Sequence, residues 1–348
     1  MTPSDPIDIV YLWVNGNDPA WRARRHTAIR KLSRGTRDAL AVYGNVEGRF
    51  RDNDELRYSL RALERFFPLH GRIYLVTDGQ TPTWLQDSPL VTVVDHRELI
   101  PASALPTFDS GHIESYIHRI AGLSERFFYF NDDVFFGAPV DERDWFWQDK
   151  PRMVKGTPNS GCNSGIYLAW SDDAPVPDGP MLPSATSLEN GCRLSAHWLA
   201  RHPPPMLLDY RHTPRTFAHS PRPLLKSLLF KLEFEAPEMF AQVRSTVFRT
   251  WDKPTIVSDF VLRWALAHGV ARVRDYSHQY VSTGELSTVD FKTGTQLTGL
   301  MAAFGALDFF CINDTTDDAH AHDHRLTRVR KALGHMLSRP SSFERLSG

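Results

Sequence analysis

The chain has 348 residues, 41% hydrophobic and 23% charged, which is enough for two domains of about 150 residues or one large enzyme domain with insertions. Forty basic side chains stand against 41 acidic ones, so the net charge gives no ground for a nucleic-acid-binding role. The 11% aromatic content argues against disorder.

The first predicted element is the strand Ile7-Asp8-Ile9-Val10-Tyr11-Leu12-Trp13-Val14, stopped by the turn formers Asn15-Gly16-Asn17-Asp18-Pro19. A basic tract without acidic residues follows, containing Arg22, Arg24, Arg25, Arg30, Lys31, Arg34 and Arg37. It reads as an exposed helix, or as a peripheral contact with anionic lipid or phosphorylated glycan. Leu56, Leu60, Leu63 and Phe67 form one helical stripe, and Asp52 to Glu55 has capping-box spacing. Arg72-Ile73-Tyr74-Leu75-Val76-Thr77 and Leu90-Val91-Thr92-Val93-Val94 are further strands. A helix carrying Ile113, Ile117 and Ile120 inward leads to the strand Phe127-Phe128-Tyr129-Phe130. Apolar strands alternating with helices predict an α/β fold with a Rossmann-like, mostly parallel sheet covered on both faces.

Residues 156–214 are rich in Pro, Gly, Ser and Asn and read as an irregular insertion with one short helix near 188–201. They separate the N-terminal half of the domain (1–155) from a mainly helical C-terminal half (215–348). Helical stripes there include Leu225, Leu228, Leu229 and Leu232, then Phe260, Val261 and Trp264, then Leu326, Val329 and Leu333. Cys162, Cys192 and Cys311 are too few for a disulfide scaffold and suit a reducing compartment, with room for one Cys162–Cys192 bridge. No apolar run reaches the ~18 residues of a membrane span, and the first six residues are too short and polar for a signal peptide. The expected location is cytoplasmic, peripheral at most to the inner face of the membrane.

The strongest chemical signal is Asn131-Asp132-Asp133 at the end of an apolar strand, where ligands of open α/β sheets bind. Adjacent carboxylates there suit a hard divalent cation shared with phosphate, and a turn pair explains them equally well. Strand alternation gives the two aspartates different directions unless the strand has already ended. Arg51, Asn53 and Arg57 precede or open a helix and suit phosphate. Glu114 and His118 are spaced to share a helical face, with Arg119 adjacent. His219-Ser220-Pro221-Arg222 precedes a leucine-rich helix, where imidazole and guanidinium groups can meet an anion. Phe248-Arg249 with Asp252, and Cys311-Ile312-Asn313-Asp314, are weaker in isolation. His320, His322 and His324 read as a solvated tract more readily than as a metal site. P-loop, GxSxG and paired CxxC motifs are absent.

Taken in order, these blocks resemble the Stealth protein family. That family includes bacterial capsule-polysaccharide sugar-phosphate transferases and the catalytic subunit of the animal N-acetylglucosamine-1-phosphotransferase. The resemblance runs from Ile7-Asp8-Ile9-Val10-Tyr11 through Asp78-Gly79-Gln80, Leu105-Pro106-Thr107-Phe108 and Asn131-Asp132-Asp133-Val134. It continues in Ala218-His219-Ser220-Pro221, Phe248-Arg249, Cys311-Ile312-Asn313-Asp314 and Pro340-Ser341-Ser342-Phe343-Glu344. His212-Thr213-Pro214-Arg215 competes with His219 for the third block.

The resemblance implies a fold akin to nucleotide-sugar glycosyltransferases, a UDP-N-acetylhexosamine donor, a glycan acceptor and a divalent cation, Mg²⁺ or Mn²⁺. It implies transfer of sugar-1-phosphate with release of UMP; the alternative is a metal-dependent glycosyltransferase releasing UDP. The implied catalytic residues are His219, Asp132 and Arg249, and the metal ligands Asp132, Asp133 and Asp314. Substrate contacts are expected from Asp8, Trp13, Asn15, Gly16, Arg51, Asn53, Arg57, Asp78, His112, His118, Arg119, Arg222 and Asn313. A homodimer is compatible with the family.

Overall fold

The computed structural model describes residues 5–148, 153–154, 157–158, 164–203, 210–286, 294–320 and 322–345. Cys162 lies outside them; Cys192 is buried with its sulfur 3.6 Å from His212 Nε2. The first predicted strand is realised as β1 (Asp8–Leu12), every residue of it buried. Helix α1 (Pro19–Lys31) follows, capped by Asp18, whose carboxylate accepts from the Ala20 and Trp21 amides. Part of its basic tract is paired, Arg22 and Arg25 with Glu47 and Arg24 with Asp78. A short helix, α2 (Arg34–Asp38), leads towards α3 (Glu55–Phe66).

The predicted capping box is not formed. The cap of α3 is Asp54, in left-handed backbone at φ 68° and without a side-chain capping bond. Glu55 instead turns back to accept from the Asn53 amide at 2.6 Å and Asn53 Nδ2 at 2.8 Å.

Strands β2 (Ile73–Thr77), β3 (Val91–Asp95) and β4 (Arg126–Asn131) complete the parallel core. The sheet order is β10-β4-β1-β2-β3, with β10 (Arg222–Leu225) the one antiparallel member. Four parallel strands therefore end on one face, so this is a mixed α/β fold with a mostly parallel sheet. Between β3 and β4, α4 (His96–Leu99) is followed by α5 (Ser110–Glu114). The single helix expected through Ile113, Ile117 and Ile120 is broken: α5 ends at Glu114 and Ile117–Arg119 is a 3₁₀ turn. Hence Glu114 and His118 do not share a helical face.

β5 (Val134–Phe136) leaves β4 through a two-residue turn and pairs antiparallel with β13 (Phe309–Asn313), itself parallel to β12 (His278–Ser282). A third sheet joins β6 (Phe146–Gln148), β9 (Ser164–Leu168) and β11 (Ala271–Val273), and β7 (Met153–Val154) pairs with β8 (Thr157–Pro158). In the middle of the chain, the predicted short helix is α6 (Ser187–Arg201), opened by a Thr186–Glu189 capping box. α7 (Lys226–Glu235) and α8 (Pro237–Arg244) come next. A π-helical turn (Ile256–Phe260) then runs into α9 (Val261–Ala267), and α10 (Gly294–Ala303) and α11 (His324–Met336) complete the helices. Among the described residues, no helix is long and apolar enough to cross a membrane.

The C-terminal segment is tied to α3 by charge. Glu344, 2% exposed, accepts from Arg57 and Arg61, and also from the Ser341 amide at 2.9 Å. Removing one partner of a buried ion pair leaves the other desolvated without compensation. Glu344→Ala is therefore expected to cost about 3 kcal/mol or more in urea unfolding; a loss near zero would show that the arginines find water instead.

Candidate functional site

At the carboxyl ends of β1, β2 and β4 the structure opens into a cavity of about 730 Å³, the position that open α/β sheets use for ligands. Its lining includes Trp13, Arg49, Arg51, Glu55, Asp78, Glu114, Asp132, Asp133, His219, Arg249, Asn313 and Asp314. Residues from both ends of the sequence therefore converge on one space.

Asp132 and Asp133 occupy the turn between β4 and β5, so strand alternation does not separate them. The turn is fixed from behind, because the Ile312 amide donates to the Asp133 carbonyl at 3.0 Å. Burial raises the Asp132 carboxyl well above the ordinary range, and Asp133, Glu55 and Asp52 raise it further. Burial likewise holds Asp133 up to about 6 and Asp52 up to about 6. Glu55 is pushed to about 8, burial outweighing its bonds to Asn53. Four carboxylates thus share one corner and oppose one another's ionisation.

Guanidinium groups supply the opposite pole. Arg249 is aimed by Asp109, which accepts from its Nε at 3.1 Å, and by the Ser110 hydroxyl. Asp109 is fixed in turn by the Gly111 amide at 3.0 Å and the Thr246 hydroxyl at 2.8 Å. A Cβ on Gly44 would stand 2.7 Å from Arg249 Cδ, so glycine is what lets this side chain pass. Arg49 donates to Asn313 Oδ1 at 3.0 Å. His219 lies among these groups, half-buried, with its ring 5.5 Å from that of Tyr280. Burial, then Arg49, Arg222 and Arg249, hold its imidazole down to about 3, so it is neutral near pH 7.

A divalent cation fits part of the expected set. Among the described residues, Asp133 Oδ1 is buried without a partner, and an oxygen-only donor pair suits Mg²⁺ or Mn²⁺. Asp314 does not fit. Its carboxylate is taken by Arg51, by the Thr316 amide at 3.0 Å and hydroxyl at 2.7 Å, and by Thr283 Oγ1 at 3.2 Å. Among the described residues, no three His, Cys, Asp or Glu side chains form a metal-holding group. Asp132 and Asp133 can therefore hold a cation only with phosphate oxygens or water in its other positions.

Several residues expected to touch substrate are placed elsewhere. Asp8 sits at the amino end of β1, away from the cavity, accepting from the Arg72 and Ser124 amides. His118 and Arg119 both pair with Glu233, which Arg244 also holds. Arg57 belongs to Glu344. Arg222 is buried at the start of β10, donating to the carbonyls of Ala218 and Val257. Strand β10 intervenes before α7, so neither Arg222 nor His219 stands at a helix N-terminus. His112 donates from Nδ1 to the Thr246 carbonyl, 2.7 Å away, outside the cavity lining. Asn53 bonds Glu55 and Asp314 behind the lining.

Asn15 and Gly16 shape the loop after β1. Asn15 exchanges bonds with Gln80, and a Cβ on Gly16 would meet the Phe50 carbonyl at 2.2 Å. Trp13, Arg51, Asp78 and Asn313 do line the cavity, although Asp78 is engaged by Arg24 at 2.8 Å. The competing histidine, His212, lies outside the lining, against Cys192. His320, His322 and His324 are exposed.

The sequence alone gives Arg49 no role in the site, Glu55 only a capping role, and Glu114 only a partnership with His118. Glu114 is 3% exposed, with Oε1 bonded to the Tyr129 hydroxyl at 3.0 Å and Oε2 without a partner among the described residues. The density of charge around Arg49-Phe50-Arg51 was the available signal; only folding shows which of those charges turn inward.

If Asp132 and Asp133 take a cation, their raised pKa values make binding pH-dependent, because a proton must leave before the metal enters. Protonation dominates below the pKa, so affinity should rise with pH. Calorimetric titration with Mn²⁺ should give at least tenfold weaker binding at pH 5 than at pH 7, with the dependence reduced in Asp133→Asn. A flat profile would remove these carboxylates from the metal's ligands.

Nearly the whole chain is similar to known proteins. Residues 5–33 match Stealth protein CR1, conserved region 1, and residues 49–154 match Stealth protein CR2, conserved region 2. An exopolysaccharide phosphotransferase of Streptomyces coelicolor is 33% identical over 342 residues, 98% of this chain and 52% of that protein. The exopolysaccharide phosphotransferase CpsY of Mycobacterium leprae is 32% identical over 343 residues, 98% of this chain and 57% of its own length. This chain thus spans little more than half of either relative. Among solved structures, the galactosyltransferase LgtC with donor and acceptor sugar analogues aligns over 97% of both chains, at 8% identity and a TM-score of 0.40.

Proposed function

Because this chain belongs to the Stealth family, we propose that it is a sugar-phosphate transferase acting on a UDP-N-acetylhexosamine. The group moved is N-acetylhexosamine-1-phosphate, with GlcNAc-1-phosphate the leading candidate. The acceptor is a glycan hydroxyl, and the products are a phosphodiester and UMP. One observation carries the reading: His219, held neutral, lines one cavity together with Arg49, Arg249, Asp132 and Asp133.

In this reading the acceptor oxygen attacks the phosphorus that bears the sugar. A new O–P bond forms, the P–O bond to the bridging oxygen breaks, and that oxygen leaves on UMP. The acceptor proton passes to the unprotonated nitrogen of His219. Phosphoryl transfer asks the protein mostly for positioning and charge stabilisation. Arg249, held rigid by Asp109 and Ser110, and Arg49, held by Asn313, face the phosphate oxygens as negative charge shifts towards the leaving group. A divalent cation between Asp132 and Asp133 would supply further charge neutralisation at the diphosphate.

An imidazole held near pKa 3 is a weak base. The guanidinium charges that depress it are the ones a diphosphate would neutralise, so donor binding should raise its basicity. NMR titration of the His219 ring should find a pKa near 3 in the free protein and a clear upward move with UDP and Mg²⁺ present. General-base help is typically worth about 10²–10⁴-fold, so His219→Ala should lose on that order in kcat. His212→Ala should lose far less. Incubation with UDP-sugars, Mg²⁺ and candidate glycans should release UMP; release of UDP would overturn the proposal in favour of glycosyl transfer.

A further inference from the structure

The cavity has a second wall that phosphate binding does not use. It is made by residues 171–177, by the first turn of α6, and by Thr255 and Ser258 at the π-helical turn. The wall is continuous with the candidate base. Ser171 and Thr216 share a hydroxyl–hydroxyl bond of 2.7 Å, the Ser171 amide donates to the Thr216 carbonyl at 3.0 Å, and the Ala218 amide donates to the Ala169 carbonyl at 3.0 Å. Trp170 stacks on Phe217 at 4.5 Å beneath this pairing. His219 is the next residue after Ala218, so the wall and the imidazole are carried by one hydrogen-bonded pair of segments.

Its chemistry is unlike that of the floor. The arginines of the lining, Arg49, Arg51 and Arg249, all belong to the phosphate side. The wall presents the hydroxyls of Ser187, Thr255 and Ser258 and the exposed carboxylates of Asp172 and Asp173. His278 is the basic side chain at that edge, and its Nε2 faces Asp172 at 3.5 Å. Carboxylates accept hydrogen bonds and cannot donate them, whereas sugar hydroxyls do both. A neutral polyhydroxyl ligand therefore finds partners throughout, while an anionic one meets like charge; among the described residues, no arginine or lysine lines this wall, and Arg193 and Arg215 behind it donate to the Pro177 and Ser171 carbonyls.

Building on the sugar-phosphate transferase reading, we propose that this wall is the acceptor subsite. It selects an uncharged, hydroxyl-rich sugar over one carrying phosphate, sulfate or carboxylate beside the attacking hydroxyl. Asp172 and Asp173 set the selection through hydrogen bonding and charge repulsion. The wall delivers the bound hydroxyl to His219.

An array of oligosaccharides in matched neutral and phosphorylated, sulfated or uronate forms, probed with the full chain in UDP and Mg²⁺, tests this directly. Neutral members should be retained at least tenfold better than their anionic partners. Asp172→Lys with Asp173→Lys should shrink that ratio to below threefold. Asp172→Asn with Asp173→Asn removes the charge without added bulk and should move it the same way. Circular dichroism checks that each variant folds. Preference for anionic members, retention of none, or an unchanged ratio in both variants would overturn the assignment. Release of UMP into water from the UDP-sugar panel is scored separately. If no UMP appears, the transferase reading itself fails; if UMP appears while the array prefers anions, only the acceptor assignment fails.

Discussion

The site depends on the burial of Asp314. Its carboxylate, 6% exposed, gathers Arg51, Asn53, Thr283 and Thr316, joining the loop before α3 to the segments after β12 and β13. The approach is so close that a Cβ on Gly48 would stand 2.6 Å from Asp314. A buried carboxylate is tolerated only when its acceptor capacity is filled, so the two ends of the chain must meet in this one arrangement. Once they do, Asn313 is in place to hold Arg49, and Ile312 to pin the Asp132–Asp133 turn.

That clamp explains how charges of both signs can be kept in one cavity without neutralising each other. Arg51 is spent on Asp314, and Arg249 on Asp109 and Ser110. Among the described residues, no arginine or lysine forms an ion pair with Asp132 or Asp133, and each is held above the ordinary carboxylate range, although the Arg49 charge pulls Asp133 down. Strain of this kind is costly to folding and is repaid only when a ligand brings compensating charge. The hydrophobic core around β1 and β4, with Phe127, Phe128 and Phe130 each at most 1% exposed, supplies stability against which the site can be held open.

The parallel core was legible in the sequence because its strands are short, apolar and separated by helical spacing. The end of β4 was legible as a site for the same reason: Asn131-Asp132-Asp133 interrupts an apolar run. Residues whose role depends on long-range partners were not legible. Arg57, His118 and Arg119 look available in a local window, and their carboxylates, Glu344 and Glu233, lie more than 100 positions away. Asp8 was misplaced because it opens β1, whereas ligands of open α/β sheets bind at the carboxyl ends of the strands. Arg222 was misplaced because Arg222-Pro223-Leu224-Leu225 forms an edge strand where a proline, having no amide hydrogen, is tolerated. The Asp52 capping signal failed because Glu55 is drawn inward to Asn53, a preference set by burial.

The position of His219 ties these strands together. Its imidazole is kept neutral by burial and by the guanidinium groups around it, and the segment that carries it is paired to the 171–177 wall. Under the proposed reaction, an empty site therefore holds a base too weak to activate water well. Phosphate oxygens bound at Arg49 and Arg249 would offset the guanidinium part of what suppresses it, leaving burial in place, so its basicity rises where the electrophile is already seated. The acceptor then competes with water on geometry, because the wall supplies hydroxyl partners at one fixed place beside the imidazole. Fidelity to an acceptor in such a site comes from coupling the strength of the base to the presence of the donor, and its placement to the wall.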